Sequence, residues 1–208
     1  MRAMKIMSHC LSAVLLSLCA IGFAHSQQMY FGGSFGVTTV DTGVNAQAGA
    51  TLDDEDTSFK FYGGANINEY FGLEVQYANL GEASLNWPNG TSVIADGLLE
   101  TNNTGADLNV KLEATSLAFS GVLRMPGEVI SPFVKLGLHS WDVDATATAT
   151  VGVTTFSATS SDDGTDYLFG FGTDIAINEI LSARIDYEIF DFDGDDVDSL
   201  NFGLLMKF

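Results

Sequence analysis

Basic side chains are scarce in this sequence. Its 208 residues include 8 lysines and arginines against 27 aspartates and glutamates, which gives a formal net charge of −19 at pH 7. The few basic residues are spread along the chain rather than clustered. Polyphosphate ligands are bound by clustered lysines and arginines. The composition therefore excludes nucleic acids as partners.

Cysteine is even scarcer, and it is confined to the N-terminal end, as Cys10 and Cys19. A short basic start, an apolar run over residues 10–23 and small residues before a cleavage position after Ser26 are typical of a secretory signal peptide. The run is too short and wrongly flanked for a spanning helix. Leu18 stands where a lipoprotein signal has a small residue before its cysteine, so a lipid anchor is not expected.

We therefore predict a signal peptide over residues 1–26, export by the Sec pathway, and one domain over residues 27–208. Removal of the signal peptide takes away two basic residues and no acidic one, so the net charge becomes −21. It also takes away both cysteines, which leaves the domain without a disulfide or thiolate chemistry. The stability of the exported domain must then come from burial or from a bilayer.

Long apolar runs are absent after residue 26. No stretch of about 18 apolar residues occurs there, which excludes a transmembrane helix in that part of the sequence. Apolar and polar residues alternate instead, as they do in strands. The eight alternating segments lie at residues 29–39, 58–67, 70–80, 110–125, 132–141, 166–177, 181–190 and 200–208. In the fourth of these segments, the phase of the alternation, that is, which residues share the apolar face, is ambiguous upstream of Thr115.

The connections between these segments alternate in length. Those after the second, fourth and sixth segments are short, whereas long polar connections occupy residues 40–57, 81–107 and 142–165, and an acidic one occupies residues 191–198. Short turns at one end and long loops at the other are typical of bacterial outer-membrane barrels, and a soluble sandwich has no need of this asymmetry. We predict an all-β fold: a closed eight-stranded antiparallel up-and-down transmembrane β-barrel.

The apolar face of each segment must then point to lipid. A soluble periplasmic barrel would instead turn that face inward around a small apolar ligand, and this stays an alternative. Aromatic residues near the segment ends favour the membrane, because aromatic belts mark its two interfaces. These aromatic residues are Tyr30, Phe71, Tyr77, Tyr187 and Phe208.

The opposite face carries charged side chains in mid-strand. An eight-stranded barrel is just wide enough to be filled by side chains, so these charges are predicted to pair inside it. The simpler interpretation is a structural plug of the lumen, and the sharper one is a functional gate. The lumen or gate candidates are Glu74, Arg124, Lys135, Asp174, Arg184, Asp186 and Glu188.

Two stretches, "NEYFGLEVQYANLG" (68–81) and "GFGTDIAINEILSARIDYE" (170–188), make the chain similar to the OmpA-type family of eight-stranded outer-membrane barrels. The resemblance implies a small member without the periplasmic peptidoglycan-binding domain. It also implies that Glu74 and Arg184 meet inside the barrel, where they gate conduction, and that Asp174 is a second interior acid. The family's interior lysine on strand four has no match here, because Ser120 lies at that level.

The C-terminal residues resemble the recognition signal of the barrel-assembly machinery. The residues that carry this resemblance are Asn201, Gly203, Met206 and Phe208. The implied partners are this machinery during biogenesis, the lipid and lipopolysaccharide of the Gram-negative outer membrane, and an unknown extracellular partner of the loops.

Acidic loops raise the question of a metal. The run of aspartates at Asp191, Asp193, Asp195, Asp196 and Asp198 offers the oxygen ligands that calcium prefers. It lacks a glycine at the sixth position and a glutamate at the twelfth, so a solvated acidic loop is the preferred interpretation. A weak divalent-cation site, shared with lipopolysaccharide, is the alternative, and we assign no cofactor.

His139 is the one histidine after residue 26. Ser140 is adjacent to it, but neighbours on a strand point to opposite faces and cannot form a nucleophile–base pair. We therefore predict a polar lumen histidine and no enzymatic activity. The predicted function is a structural or surface-interaction barrel that displays long acidic extracellular loops, with a narrow gated diffusion pore as the alternative.

Overall fold

The computed structural model describes residues 28–40, 43–95 and 97–208. The predicted signal peptide, residues 1–26, lies outside the described residues. The described chain is built of β-strands joined by turns. Twelve strands are present in these ranges: β1 (Met29–Val40), β2 (Val44–Ala46), β3 (Thr51–Asp53), β4 (Glu55–Asn66), β5 (Phe71–Trp87), β6 (Ser92–Ala95), β7 (Leu98–Thr101), β8 (Asp107–Arg124), β9 (Ile130–Val151), β10 (Thr154–Ala176), β11 (Leu181–Phe192) and β12 (Asp195–Lys207).

Within these described ranges, no helix is long and apolar enough to cross a membrane.

Eight of the strands form a closed barrel. Strands β1, β4, β5, β8, β9, β10, β11 and β12 pair antiparallel with their neighbours in chain order, and β1 pairs with β12 to close the sheet. The seam is continuous from Tyr30 opposite Lys207 to Val40 opposite Val197. A closed sheet leaves no strand edge unpaired, as hydrocarbon surroundings require. The predicted eight-stranded up-and-down barrel is confirmed.

The barrel is apolar on its outer face. In β12, Leu200, Phe202 and Leu204 are exposed, whereas Asn201 and Leu205, which alternate with them, are 1% exposed. Large apolar residues on the other strands point outward in the same way. This belt is the surface expected of a wall that faces lipid.

Tyr30 corrects one sequence prediction, because it does not belong to the outer aromatic belt. Its neighbour Phe31 points outward, stacked on Phe208 with ring centroids 5.4 Å apart. The strand alternation then turns Tyr30 into the lumen, where it is 3% exposed.

The turns at the end that holds both described termini are short. Two of them share the sequence Ile-Asn-Glu-X, at residues 67–70 and 177–180. The Asn68 side chain accepts hydrogen bonds from the N–H groups of Tyr70 (2.9 Å) and Phe71 (2.8 Å). Asn178 does the same in the other turn. These bonds fix the geometry of the two tight turns.

At the other end, two predicted loops are strands instead. Residues 142–165 belong to a long hairpin, in which Val151 pairs with Thr154 across a turn at Gly152. The hairpin has no apolar stripe because water surrounds it, but its alternating Ala and Thr residues are compatible with a strand. Residues 191–198 likewise continue β11 and β12 around a turn at Asp193 and Gly194.

The remaining long connections fold over the barrel mouth. Strands β2, β6 and β7 form a small separate sheet, and β3 pairs with the upper part of β5. The register of β5 against β8 shifts between Asn79 and Glu82. Gly81 adopts a φ of +83° at this bulge, a conformation that favours glycine. Such a bulge bends the strand locally and increases its twist.

The ambiguous phase of the fourth segment has a physical cause. From Ser116 to Arg124, the polar residues Ser116 and Ser120 point inward and Leu117 points to lipid. From Ala114 toward Asp107, the apolar inward positions line a cavity at the barrel mouth opposite the short turns, while Lys111 points to water. The apolar side of the wall therefore changes from outside to inside as the strand leaves the bilayer.

A charged and apolar plug as the candidate functional site

Eight charged side chains meet in the middle of the barrel lumen. They comprise four acids and four bases, so the layer is neutral when all are ionised. All come from inward positions of the barrel strands, and all are buried or nearly so. The members of this charged layer are Lys60, Glu74, Arg124, Lys135, Asp174, Arg184, Asp186 and Glu188.

Arg184 is the centre of one half of the charged layer. Its Nη1 donates to Glu74 Oε2 at 2.7 Å. Its Nε and Nη2 donate to the two carboxylate oxygens of Asp174, at 2.7 and 3.1 Å. Arg124 binds the same carboxylate from the side of the short turns. Planar guanidinium groups suit such bidentate pairing.

Two tyrosines complete this half of the layer. The Tyr30 hydroxyl donates to Glu74 at 2.8 Å and accepts from Arg124 at 2.8 Å. The Arg184 guanidinium lies 4.5 Å from the ring centroid of Tyr62. An aromatic face adds to the attraction of a buried cation. Neither tyrosine is among the lumen residues predicted from the sequence. The inward position of Tyr62 is nevertheless visible there, because Tyr62 alternates with the outward Phe61.

Lysines organise the other half of the layer. Lys135 Nζ lies 3.2 Å from Glu74 Oε1, donates to Gln76 Oε1 at 2.8 Å, and is paired with Glu188. Lys60 Nζ lies 2.5 Å from Asp186 and 2.9 Å from Glu188. The ion pairs thus join all eight groups into one network. Removing one member of such a buried network costs about 3–5 kcal/mol, because one charge of the buried layer is then left without compensation.

The structure brings together all seven predicted lumen candidates and adds Lys60. The resemblance to the OmpA-type family left an interior lysine on the fourth barrel strand unmatched, and Ser120 does occupy the inward position there. Lysines enter from other strands instead: Lys60 from β4 and Lys135 from β9. Lys60 was detectable in the sequence, because it alternates with the outward Phe59 and Phe61.

An apolar layer closes the lumen above the charges. Trp141 and Phe192 have ring centroids 5.2 Å apart and are almost fully buried. Together with their neighbours they fill the barrel where it leaves the bilayer. The residues of this apolar layer are Ala78, Leu80, Ala118, Trp141, Leu168, Phe190, Phe192 and Val197.

His139 lies between the two layers. Its ring centroid lies 5.4 Å from that of Phe190 and 5.3 Å from that of Phe192, and both contacts are edge-to-face. Its Nε2 is 2.8 Å from the carbonyl oxygen of Asp191, and its Nδ1 is 3.0 Å from Ser116 Oγ. Nε2–H donation to the carbonyl leaves Nδ1 to accept the serine proton.

The contact of Ser116 with His139 joins residues 23 positions apart on neighbouring strands, so no local sequence pattern predicts it. It has the distance of a nucleophile–base pair. Both side chains are nevertheless buried beneath the apolar layer, and neither lines the cavity at either barrel mouth. A substrate has no path to the pair, so the arrangement fits a structural hydrogen bond.

The run of aspartates after β11 forms a tight hairpin end. Asp193 and Gly194 adopt φ values of 55° and 100° at the turn, and Asp191 accepts the Gly194 N–H at 2.9 Å. Strand alternation sends the other aspartates to different faces. In the described part of the chain, no group of three or more acidic, histidine or cysteine side chains could hold a metal ion. The divalent-cation site stays a prediction.

The four predicted assembly-signal residues lie at the seam between β12 and β1. Asn201 points into the lumen, and Met206 and Phe208 point outward. Gly203 lies against Ser34, where an added Cβ would come within 2.6 Å of the serine Cβ. The Phe208 N–H donates to the carbonyl of Met29 at 2.9 Å, so the last residue still takes part in closure. The signalling role of these four residues stays a prediction.

Comparison with known proteins agrees with this architecture. Residues 10–208 match the model of a family described as "Outer membrane protein beta-barrel domain". Among curated proteins, no sequence matches the chain significantly.

Two solved structures resemble the fold. The outer membrane protein OprG from Pseudomonas aeruginosa superposes with a TM-score of 0.58 at 13% identity, over 88% of this chain and 96% of OprG. Ail, the attachment invasion locus protein of Yersinia pestis, solved with the heparin analogue sucrose octasulfate, gives a TM-score of 0.53 at 15% identity, over 88% of this chain and all of Ail. Identities this low establish a shared fold only.

Proposed function

Because the chain belongs to the family of outer membrane protein β-barrels, we propose that it acts at the cell surface as a structural and interaction protein, and not as an open channel. Its place is the outer membrane, with the short turns in the periplasm. The proposal assigns no chemical reaction to the chain. It includes cleavage of the signal peptide after Ser26, which the mass of the protein isolated from membranes would test.

The observation that carries this proposal is the double closure of the lumen. The charged layer and the apolar layer follow one another along the barrel axis, and both consist of buried side chains. Each barrel mouth holds a cavity, and these two cavities share no lining residue. A barrel filled in this way offers no continuous water path, which favours a role for its surfaces.

The extracellular strands supply such a surface. Strands β8, β9 and β10 have 18, 22 and 23 residues, about twice the 9–11 residues that span a bilayer. Together with the 17-residue β5, which pairs with β8 as far as Trp87 opposite Leu108, they extend as a paired sheet beyond the other four barrel strands. A paired sheet holds its outer residues in fixed positions, which suits it to present a binding surface.

The charge distribution favours cationic partners. Four of the basic residues in the described ranges lie in the lumen, and Lys207 lies at the periplasmic end. That leaves Lys111 as the basic side chain on the extracellular part of the described chain, where it pairs with Glu82 at 2.6 Å. Ail is recorded with a polyanionic heparin analogue, whereas this acidic surface would repel such a ligand. Basic proteins, or lipopolysaccharide bridged by divalent cations, are better matched.

Single-channel recording tests the proposal. The protein would be refolded into a planar bilayer, after its folding had been checked by the altered gel mobility of the unboiled sample. We expect a folded but electrically silent barrel. Frequent discrete openings of the unmodified protein would contradict the surface role.

One observation favours a gated pore as the second candidate. Glu74 contacts Arg184 through one oxygen and Lys135 through the other, so it could exchange one partner for the other as the layer rearranges. If Arg184→Ala produced openings while the unmodified protein was silent, Glu74 and Arg184 would be a gate that is shut under the recording conditions.

A further inference from the structure

The extracellular mouth of the barrel holds a cavity of about 470 Å³, which we call the vestibule. Its floor is the top of the apolar layer, with Leu80, Trp141, Phe192 and Val197. Apolar side chains from the upper part of β8 and from β2 and β3 form its walls. The volume lies within the range of small-molecule sites, and an apolar lining is typical of them.

The rim of the vestibule has a different character from its floor. Three carboxylates line it, those of Asp162, Asp193 and Asp195, and all three residues are exposed. Among the residues that the structure describes, none of the three forms an ion pair. The rim is therefore anionic, while the floor is apolar and aromatic.

We propose that the vestibule binds small organic cations that carry an apolar, preferably aromatic, body. The apolar body would lie on Trp141 and Phe192, where its burial from water is favourable. The cationic group would stay near the mouth, within reach of the rim carboxylates. Aromatic rings also attract cations through their faces. Anions of the same shape would be repelled by the rim, and neutral molecules would gain only the apolar term.

The site is distinct from the surface role proposed above. The apolar layer forms the floor of the vestibule, so the proposal concerns binding from the outside and does not require passage through the barrel. It holds whether or not the charged layer opens.

Tryptophan fluorescence provides a direct test, because the chain has two tryptophans and only Trp141 lines the vestibule. A Trp87→Phe protein in phosphatidylcholine vesicles would leave Trp141 as the single tryptophan. The probes are 4-phenylbutylammonium, 4-phenylbutanol and 4-phenylbutyrate, which share one body and carry a positive, zero or negative charge. We expect a saturable change of emission with the cation, about tenfold weaker binding of the alcohol, and no saturable binding of the anion.

Variants of the rim separate a built site from partition into lipid. In the same background, Asp162→Asn with Asp195→Asn should weaken binding of the cation about four- to tenfold and leave the alcohol unchanged. Both positions are exposed, so the fold should tolerate the change. The matched control is Glu128→Gln, which removes an acid from a periplasmic turn. Equal affinity for the three probes, or an equal loss in the control, would overturn the proposal.

Discussion

Glu74 and Arg184 are 110 residues apart in the chain, yet their side chains join at 2.7 Å in the middle of the lumen. The contact exists because β5 and β11 each present an inward residue at the same height of a closed barrel. It is one link of a network of eight charges with no net charge. The consequences of removing single members can be worked out from their partners.

Arg184→Ala should destabilise the barrel by about 3–5 kcal/mol, because Glu74 and Asp174 lose a shared counterion in a buried site. Urea unfolding in vesicles, followed by gel mobility, would measure the loss. Arg184→Lys restores the charge but not the bidentate geometry, and we expect it to recover only part of the stability. A change below about 1 kcal/mol for Arg184→Ala would mean that water reaches the site.

Two glutamates that each contact lysine provide a matched comparison. Glu188 is buried between Lys60 and Lys135, whereas Glu82 meets Lys111 in an exposed pair. Glu188→Gln should cost several times more unfolding free energy than Glu82→Gln, because solvent screens the exposed pair. Similar losses in the two variants would refute the difference in burial as the cause.

The exposed pair also has a pH signature. The hydrogen bond and charge of Glu82 raise the pKa of Lys111 above its usual value. The pair therefore contributes while Lys111 is protonated, and that contribution is lost as the pH rises through the raised pKa. In Glu82→Gln, the Lys111 pKa should fall toward its ordinary value, which an NMR titration of the lysine side chains would follow. An unchanged pKa would show that Glu82 does not hold Lys111 in solution.

Deletion of Phe208 should sharply lower the amount of barrel assembled in the outer membrane. The residue is predicted to carry the assembly signal, and it also stacks on Phe31 at the seam. Phe208→Tyr keeps the aromatic ring and is the control, with assembly expected near normal. Cell fractionation with gel mobility measures both variants. Normal levels of folded, membrane-embedded protein after the deletion would rule out this role.

Refolding in vitro distinguishes the two contributions of Phe208. If the deleted protein folds efficiently in lipid vesicles but not in cells, the assembly signal is what was lost. If it fails in both, the seam contact with Phe31 accounts for the defect and the signalling role is unsupported.

Strand alternation made most of this site predictable. The odd or even position of a residue along its strand determines the face to which it points, as for Arg184 and Asp186. Because the barrel is narrow, charged side chains on the inner face lie close enough to pair. The local alternation of apolar and polar residues does not determine the register between strands that are distant in sequence. The approach of Lys60 to Asp186, 126 residues later, therefore appears only in the closed sheet.

The errors had physical causes as well. Residues 142–165 were predicted to be a loop because the expected apolar stripe is missing, but a hairpin with water on both faces needs no such stripe. Tyr30 was assigned to the membrane belt by its aromatic character, although Phe31 takes the outward position. In both cases the environment, and not the residue type, determined the outcome.

The reversal of polarity along β8 has one more consequence. Leu117 faces hydrocarbon, and a few residues higher Leu112 faces the inside of the protein while Lys111 meets water. Sliding the barrel up would expose the apolar belt, and sliding it down would push charged groups into the acyl chains. The depth of immersion is therefore fixed by the sequence itself. In a thinner or thicker bilayer, the lipid around the barrel must deform, because the barrel has no second stable position along the membrane normal.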